Sequence, residues 1–102
     1  MPTRGELACE KLGNFMCYIE VTTGFVPEER VYEQLTPLRA VVFCRMIADH
    51  KEAVATHSFD ALQKIPQLPP SVVAGIDAVV LTPAAHNKFW RYMDLFVELA
   101  EA

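Results

Sequence analysis

Two histidines near the middle of the chain carry the side chain that most often binds transition metals in proteins. His50 and His57 are seven residues apart, so a regular helix would place them on roughly one face but about 10 Å apart along its axis. A zinc site needs three or four converging ligands, and imidazoles this far apart do not share one ion. We therefore interpret both as solvated histidines and predict no metal site.

Cys44 is a candidate nucleophile, because cysteine–histidine catalysis requires only that the two side chains meet in space. Its neighbours in the sequence are apolar, which favours a small buried thiol over a reactive one. We expect neither catalytic residues nor a cofactor. A small metal-dependent or Cys/His-dependent enzyme using Cys44, His50, His57 or His86 remains an alternative.

Arg45, Asp49 and Glu52 form a polar stripe, because spacings of four and three residues lie on one side of a helix. Such a stripe is either a partner-facing ion-pair site or a solvated face, where each pair contributes only a few tenths of a kcal/mol. The solvated face is the preferred interpretation. Arg45 and Asp49 are nevertheless kept among the candidate partner-binding residues.

The segment 37–56 that carries these groups is predicted to be the central helix. Thr36 can cap it, and Pro37 occupies the first helical position, where a missing N–H group costs nothing. Apart from the polar stripe, most of its circumference is apolar, so several neighbouring helices must cover it.

Caps and periodicity indicate the remaining helices. Thr3 and Glu6 have capping-box spacing and Gly24 is a good terminator, while Ser58 and Thr82 can each cap a later helix. The predicted helices besides 37–56 are 4–23, a short one from Pro27 to the Thr36–Pro37 junction, 59–65, about 70–80, and 83–101.

The fold class follows from this pattern: a single all-α domain over 1–102, built as a compact bundle of about five helices around 37–56. β-branched residues leave one competing interpretation, since they lose rotamer freedom in helices and suit strands. The alternative is an α+β fold with strands near 18–23 and 72–81.

Composition narrows the class of function. The chain has 102 residues, 52% of them hydrophobic, and a net charge of −4. A small domain has proportionally more surface to cover, so this apolar content suggests a surface for another protein or a second copy. Nucleic acid is not expected as a partner, because the nine basic residues are scattered and form no cluster.

The cysteines and the apolar runs suggest a compartment. There are three cysteines, an odd number, and Cys9 and Cys17 would be about 12 Å apart on one helix, too far for a disulfide. Free thiols are typical of a reducing compartment. The N-terminus lacks a signal peptide's apolar core and no apolar run reaches membrane-span length, so we expect a soluble cytoplasmic protein without membrane contact.

The last predicted helix carries the strongest binding signal. Four bulky residues and an arginine fall within 89–93, and since adjacent side chains point 100° apart, one flat contact cannot bury all of them. Trp, Tyr and Arg dominate interface hot spots, so Trp90→Ala is expected to weaken a partner contact more than folding. The predicted partner-binding residues are Tyr32, Phe43, Arg45, Asp49, Phe89, Trp90, Arg91, Met93 and Phe96.

These observations predict a small cytoplasmic regulatory protein that acts by binding and not by catalysis. It would be an inhibitor, adaptor or antiactivator of a larger protein such as a transcription factor. Its apolar surface on helices 37–56 and 83–101 would serve partner capture, homodimerisation or both. An obligate homodimeric structural subunit is the first alternative, and the enzyme named above is the second.

Overall fold

The chain forms a succession of helices in the part that the computed structural model describes, residues 1–28 and 35–102. The predicted all-α fold is confirmed, and no strand occurs within these residues. The helices are α1 (Arg4–Thr23), α2 (Pro37–Ala48), α3 (Lys51–Ala55), α4 (Phe59–Gln63), α5 (Pro70–Val80), a 3-10 turn (Pro83–Ala85) and α6 (His86–Glu101). None of them is long and apolar enough to cross a lipid bilayer.

Helix α1 begins and ends where its caps predict. The Thr3 hydroxyl oxygen accepts a hydrogen bond from the backbone N–H of Glu6 at 3.1 Å, and Gly24 ends the helix with a φ of 78°. That left-handed conformation costs glycine little because it has no Cβ atom.

The α+β alternative is wrong, because residues 18–23 lie in α1 and most of 72–81 lies in α5. Tertiary packing explains why the β-branched residues become helical. Ile19 is fully buried, and Val72, Ile76 and Val79 point into the core at helical spacing. A Cβ atom added at Gly75 would lie only 3.4 Å from Cδ1 of Ile19, so the glycine lets α5 approach α1 closely.

The predicted helix 37–56 is in fact two helices, α2 and α3, separated by a turn at Asp49 and His50. In a regular helix the His50 N–H would donate to the Met46 carbonyl. Here that N–H donates to the Ile47 carbonyl at 3.0 Å instead, and the Met46 carbonyl lies 3.1 Å from Nδ1 of His50. The His50 side chain thus occupies the Met46 carbonyl, which would accept the His50 N–H if the helix continued, and α2 ends there.

Other predicted boundaries have mixed outcomes. The Thr36 and Ser58 hydroxyl oxygens accept from the N–H groups of Arg39 and Ala61, as caps should. Thr82 does not cap, because its hydroxyl donates back to the Ala78 carbonyl at 2.9 Å, and a 3-10 turn precedes α6. The short helix predicted from Pro27 falls largely on residues 29–34, outside the described ranges.

The core is organised around the Phe15 ring on α1. This ring contacts four aromatic rings, and the contact with Phe96 is edge-on at a centroid distance of 5.4 Å. Phe43 on α2 meets the same Phe96 ring at 5.2 Å, which places α2 against both α1 and α6. The other rings that Phe15 contacts are Tyr18, Phe89 and Tyr92.

We predict that Phe15→Ala lowers the free energy of unfolding by about 3 to 5 kcal/mol, because a fully buried ring is replaced by a cavity. Leu81→Ala, at a side chain that is 82% exposed, should change it by less than about 0.5 kcal/mol. Urea denaturation followed by circular dichroism measures both values. Equal losses in the two variants would contradict the proposed role of Phe15.

Candidate functional site

Five of the nine predicted partner-binding residues are buried in this chain, each at most 5% exposed. Four of them lie on α6, which has neighbours on several sides, including α1, α2 and α3, and the fifth lies on α2 against Phe96. We therefore do not assign them to an interface. These residues are Phe43, Phe89, Trp90, Met93 and Phe96.

Trp90 shows how the wide aromatic face of α6 becomes covered. The His57 ring lies parallel to the Trp90 ring, at a centroid distance of 4.7 Å and an angle of 4°, and Phe59 packs against it at 4.8 Å. Residues from two other parts of the chain therefore cover the Trp90 ring, which a single flat contact on α6 could not bury together with its neighbours. Because Trp90 is 5% exposed in the single chain, Trp90→Ala is expected here to act mainly on folding.

The backbone of His57 ends α3. Its φ is 52°, an uncommon left-handed conformation for a residue other than glycine. The N–H of Ser58 donates to the Ala53 carbonyl at 2.9 Å and that of His57 to the Val54 carbonyl at 3.1 Å, which is the Schellman pattern. The stacked imidazole and this terminator together fix the end of α3 against α6.

The other predicted site residues have different environments. Arg45 and Asp49 form an ion pair at 3.0 Å in which both side chains are 57% exposed, so this pair contributes little stability. Arg91 is exposed on α6. Tyr32 lies outside the described residues.

The candidate catalytic groups are not brought together. Cys44 is 1% exposed, and burial raises the pKa of its thiol to about 11. Nε2 of His86 lies 2.9 Å from the Val79 carbonyl, while His50 and His57 make the contacts given above. Within the described ranges, no group of three His, Cys, Asp or Glu residues could hold a metal ion.

A groove of about 510 Å³ lies between α3 and α6. Its apolar lining consists of Val54, which is 2% exposed, with Ala55 and Val97. The short Ala55 side chain and the end of α3 immediately after it leave this space open. The space is shallow and widely open to solvent, so its shape suits contact with a protein surface and not enclosure of a small molecule.

The rim of the groove is acidic. Glu52 from α3 and Asp94 and Glu98 from α6 line it, and all three are exposed. The one basic lining residue is Lys51, whose Nζ atom lies 3.4 Å from a carboxylate oxygen of Glu101. The groove therefore has an apolar base and a negatively charged rim.

Sequence reasoning did not identify this groove. It placed Glu52 on one stripe with Arg45 and Asp49, and it did not include Asp94 or Glu98 among the predicted partner-binding residues. The break at His50 separates Glu52 from that stripe and brings it beside α6. The sequence carried a weak signal, since Asp94 and Glu98 are like charges four residues apart, an unfavourable pair on a helix, but Glu6 and Glu10 on α1 have the same spacing.

A second exposed feature lies at the start of α2. Leu38 and Val42 are 75% and 54% exposed, and their spacing of four residues places them on one face of the helix. Exposed apolar neighbours of this kind are candidates for contact with another protein or a second copy.

Comparison of the chain with protein-family models, with curated proteins and with solved structures finds no match.

We predict that alkylation distinguishes the thiols. Cys17 is exposed and Cys44 is buried, and only thiolates react readily. At about pH 8 iodoacetamide should therefore modify Cys17 first and leave Cys44 unmodified.

Burial raises the folded-state pKa of Cys44 to about 11. The protonated Cys44 thiol therefore contributes to the free energy of unfolding below about pH 9, and this contribution should be lost as the pH rises from about 9 towards 11.

Mass spectrometry of proteolytic fragments measures the extent of modification, and unfolding in guanidinium before labelling is the control in which all three cysteines react. Modification of Cys44 at the rate of Cys17 in the native protein would contradict its burial.

Proposed function

We propose that this protein is a small regulatory protein that acts by binding another protein in the groove between α3 and α6. The observation that carries the proposal is the groove itself, about 510 Å³ with Val54, Ala55 and Val97 at its base. Because Val54 is 2% exposed, the accessible apolar surface belongs mainly to Ala55 and Val97. A partner side chain that displaces water from this surface lowers the free energy of the complex.

Buried contacts hold the two helices that form the groove in fixed positions. α6 is anchored through Phe89, Met93 and Phe96, all fully buried, and α3 is held by the His57–Trp90 stack. A groove between anchored helices loses little conformational entropy when it is occupied, which favours binding.

Binding without chemistry suits an inhibitor, an adaptor or an antiactivator of a larger protein such as a transcription factor. No catalytic step and no cofactor is part of the proposal. A cytoplasmic location is also proposed, and the free thiols of Cys9, Cys17 and Cys44 support it.

We predict that Ala55→Phe abolishes partner capture, because a neutral ring at this position fills the groove without changing its charge. Ala84→Phe is the matched control, since Ala84 is also exposed but does not line the groove. Affinity capture from native lysate, followed by mass spectrometry, compares the two variants with the unaltered chain. Capture that is equal for all three would contradict the groove as the binding site.

Homodimerisation is a second candidate, favoured by the exposed pair Leu38 and Val42 on α2. If this face joins two copies, light scattering should give twice the chain mass of 11.5 kDa. Leu38→Arg should then restore the monomer, because it places charge in an apolar contact. Leu81→Arg, at another exposed leucine, should not. A monomeric mass for the unaltered chain at high concentration would exclude this candidate.

A further inference from the structure

We propose that the partner segment bound in the groove between α3 and α6 is a basic amphipathic helix. It would place one or two apolar side chains against Val54, Ala55 and Val97, and Lys or Arg side chains beside the carboxylates of the rim. This inference rests on the proposed function and specifies the chemistry of the partner.

The acidic rim of the groove favours a basic partner by charge complementarity. Glu52, Asp94 and Glu98 surround the groove, and within the described residues none of the three forms an ion pair. Lys51 is the one lysine in the lining against three carboxylates, and its Nζ atom lies 3.4 Å from Glu101, so the rim keeps a net negative charge. A basic segment would add favourable contacts and be steered to the site, whereas an acidic one would be repelled.

Unfavourable charge interactions within α6 also favour a basic partner. Asp94 and Glu98 are four residues apart and repel each other. Glu98 also lies in the last turn of α6, which contains no basic residue, although the helix dipole favours a positive charge there. Both interactions oppose folding, and a bound Lys or Arg would relieve both.

The geometry favours a helix over an extended segment. The described residues contain no strand, so they offer no sheet edge with which a partner backbone could pair. A helix satisfies its own backbone hydrogen bonds and presents apolar and basic side chains on adjoining faces, as in other helix-in-groove complexes.

The test uses a synthetic amphipathic helix of leucine and lysine as the probe, with a leucine–glutamate helix of the same pattern as its control. Fluorescence anisotropy of the labelled peptides measures affinity for the full chain. The lysine peptide should bind, and its affinity should fall steeply as salt increases from about 0.05 M to about 0.5 M, because exposed charges are then screened. The glutamate peptide should not bind.

Two triple variants with the same net charge separate the groove from the rest of the surface. Glu52→Gln, Asp94→Asn and Glu98→Gln together should weaken binding of the lysine peptide about tenfold, with an unchanged or higher melting temperature. Glu10→Gln, Glu28→Gln and Asp60→Asn, at exposed positions outside the groove, should leave the affinity within about twofold.

The outcomes distinguish this inference from the proposed function. If the captured partner is lost in Ala55→Phe but binds the groove triple variant as tightly as the unaltered chain, the groove is a binding site and the basic partner is wrong. Equal weakening of the lysine peptide by both triple variants would also overturn the inference. If Ala55→Phe and the groove triple variant both leave peptide and partner binding unchanged, the proposed function falls as well.

Discussion

The packing of the Phe15 ring between α1 and α6 is the contact on which the rest of the structure depends. Phe15 meets rings on α6 from Phe89 to Phe96. The two helices are antiparallel, because Arg4 at the start of α1 donates to the Ala102 carbonyl after the end of α6, and the Tyr18 hydroxyl near the end of α1 donates to the Ala85 carbonyl just before α6 begins. Aromatic rings bury more surface than other side chains and prefer tilted or edge-on contacts, so this seam fixes both the separation and the register of the two helices. Phe43 can place α2 on Phe96 only because that seam already holds the ring.

The break at His50 has the largest consequence for the surface. If α2 continued to residue 56, Glu52 would follow Arg45 and Asp49 along one solvated stripe. Because the His50 imidazole takes the Met46 carbonyl, the chain turns, and α3 packs against α6 with Val54 buried. One side-chain hydrogen bond therefore helps to convert a polar helix face into one wall of a groove, and the His57–Trp90 stack holds that wall in place.

Sequence predicted the parts of this fold that depend on local chemistry. Thr3, Thr36 and Ser58 cap helices because their hydroxyl groups need only neighbouring N–H groups, and Gly24 terminates α1 for an equally local reason. The break at His50 was not predicted because it is a competition between a side chain and the backbone for one carbonyl, which propensities do not resolve. The predicted partner-binding residues on α6 depend on the fold in a related way, because an aromatic cluster on a helix has the same pattern whether it faces the core or a partner. Contacts with His57 and Phe59, which lie on other elements, bury Trp90.

The acidic rim of the groove is where local and global preferences disagree. Most of the caps, the buried apolar faces and the aromatic contacts agree with the fold, which is the consistency expected of a sequence that specifies one structure. Asp94 and Glu98 instead repel each other on a helix whose buried face needs neither of them, and replacing one by lysine would remove that repulsion without disturbing the core. Departures from local consistency are expected at functional positions. The repulsion between Asp94 and Glu98, beside the accessible apolar surface of Ala55 and Val97, therefore supports the groove over the aromatic cluster of α6 as the proposed binding site.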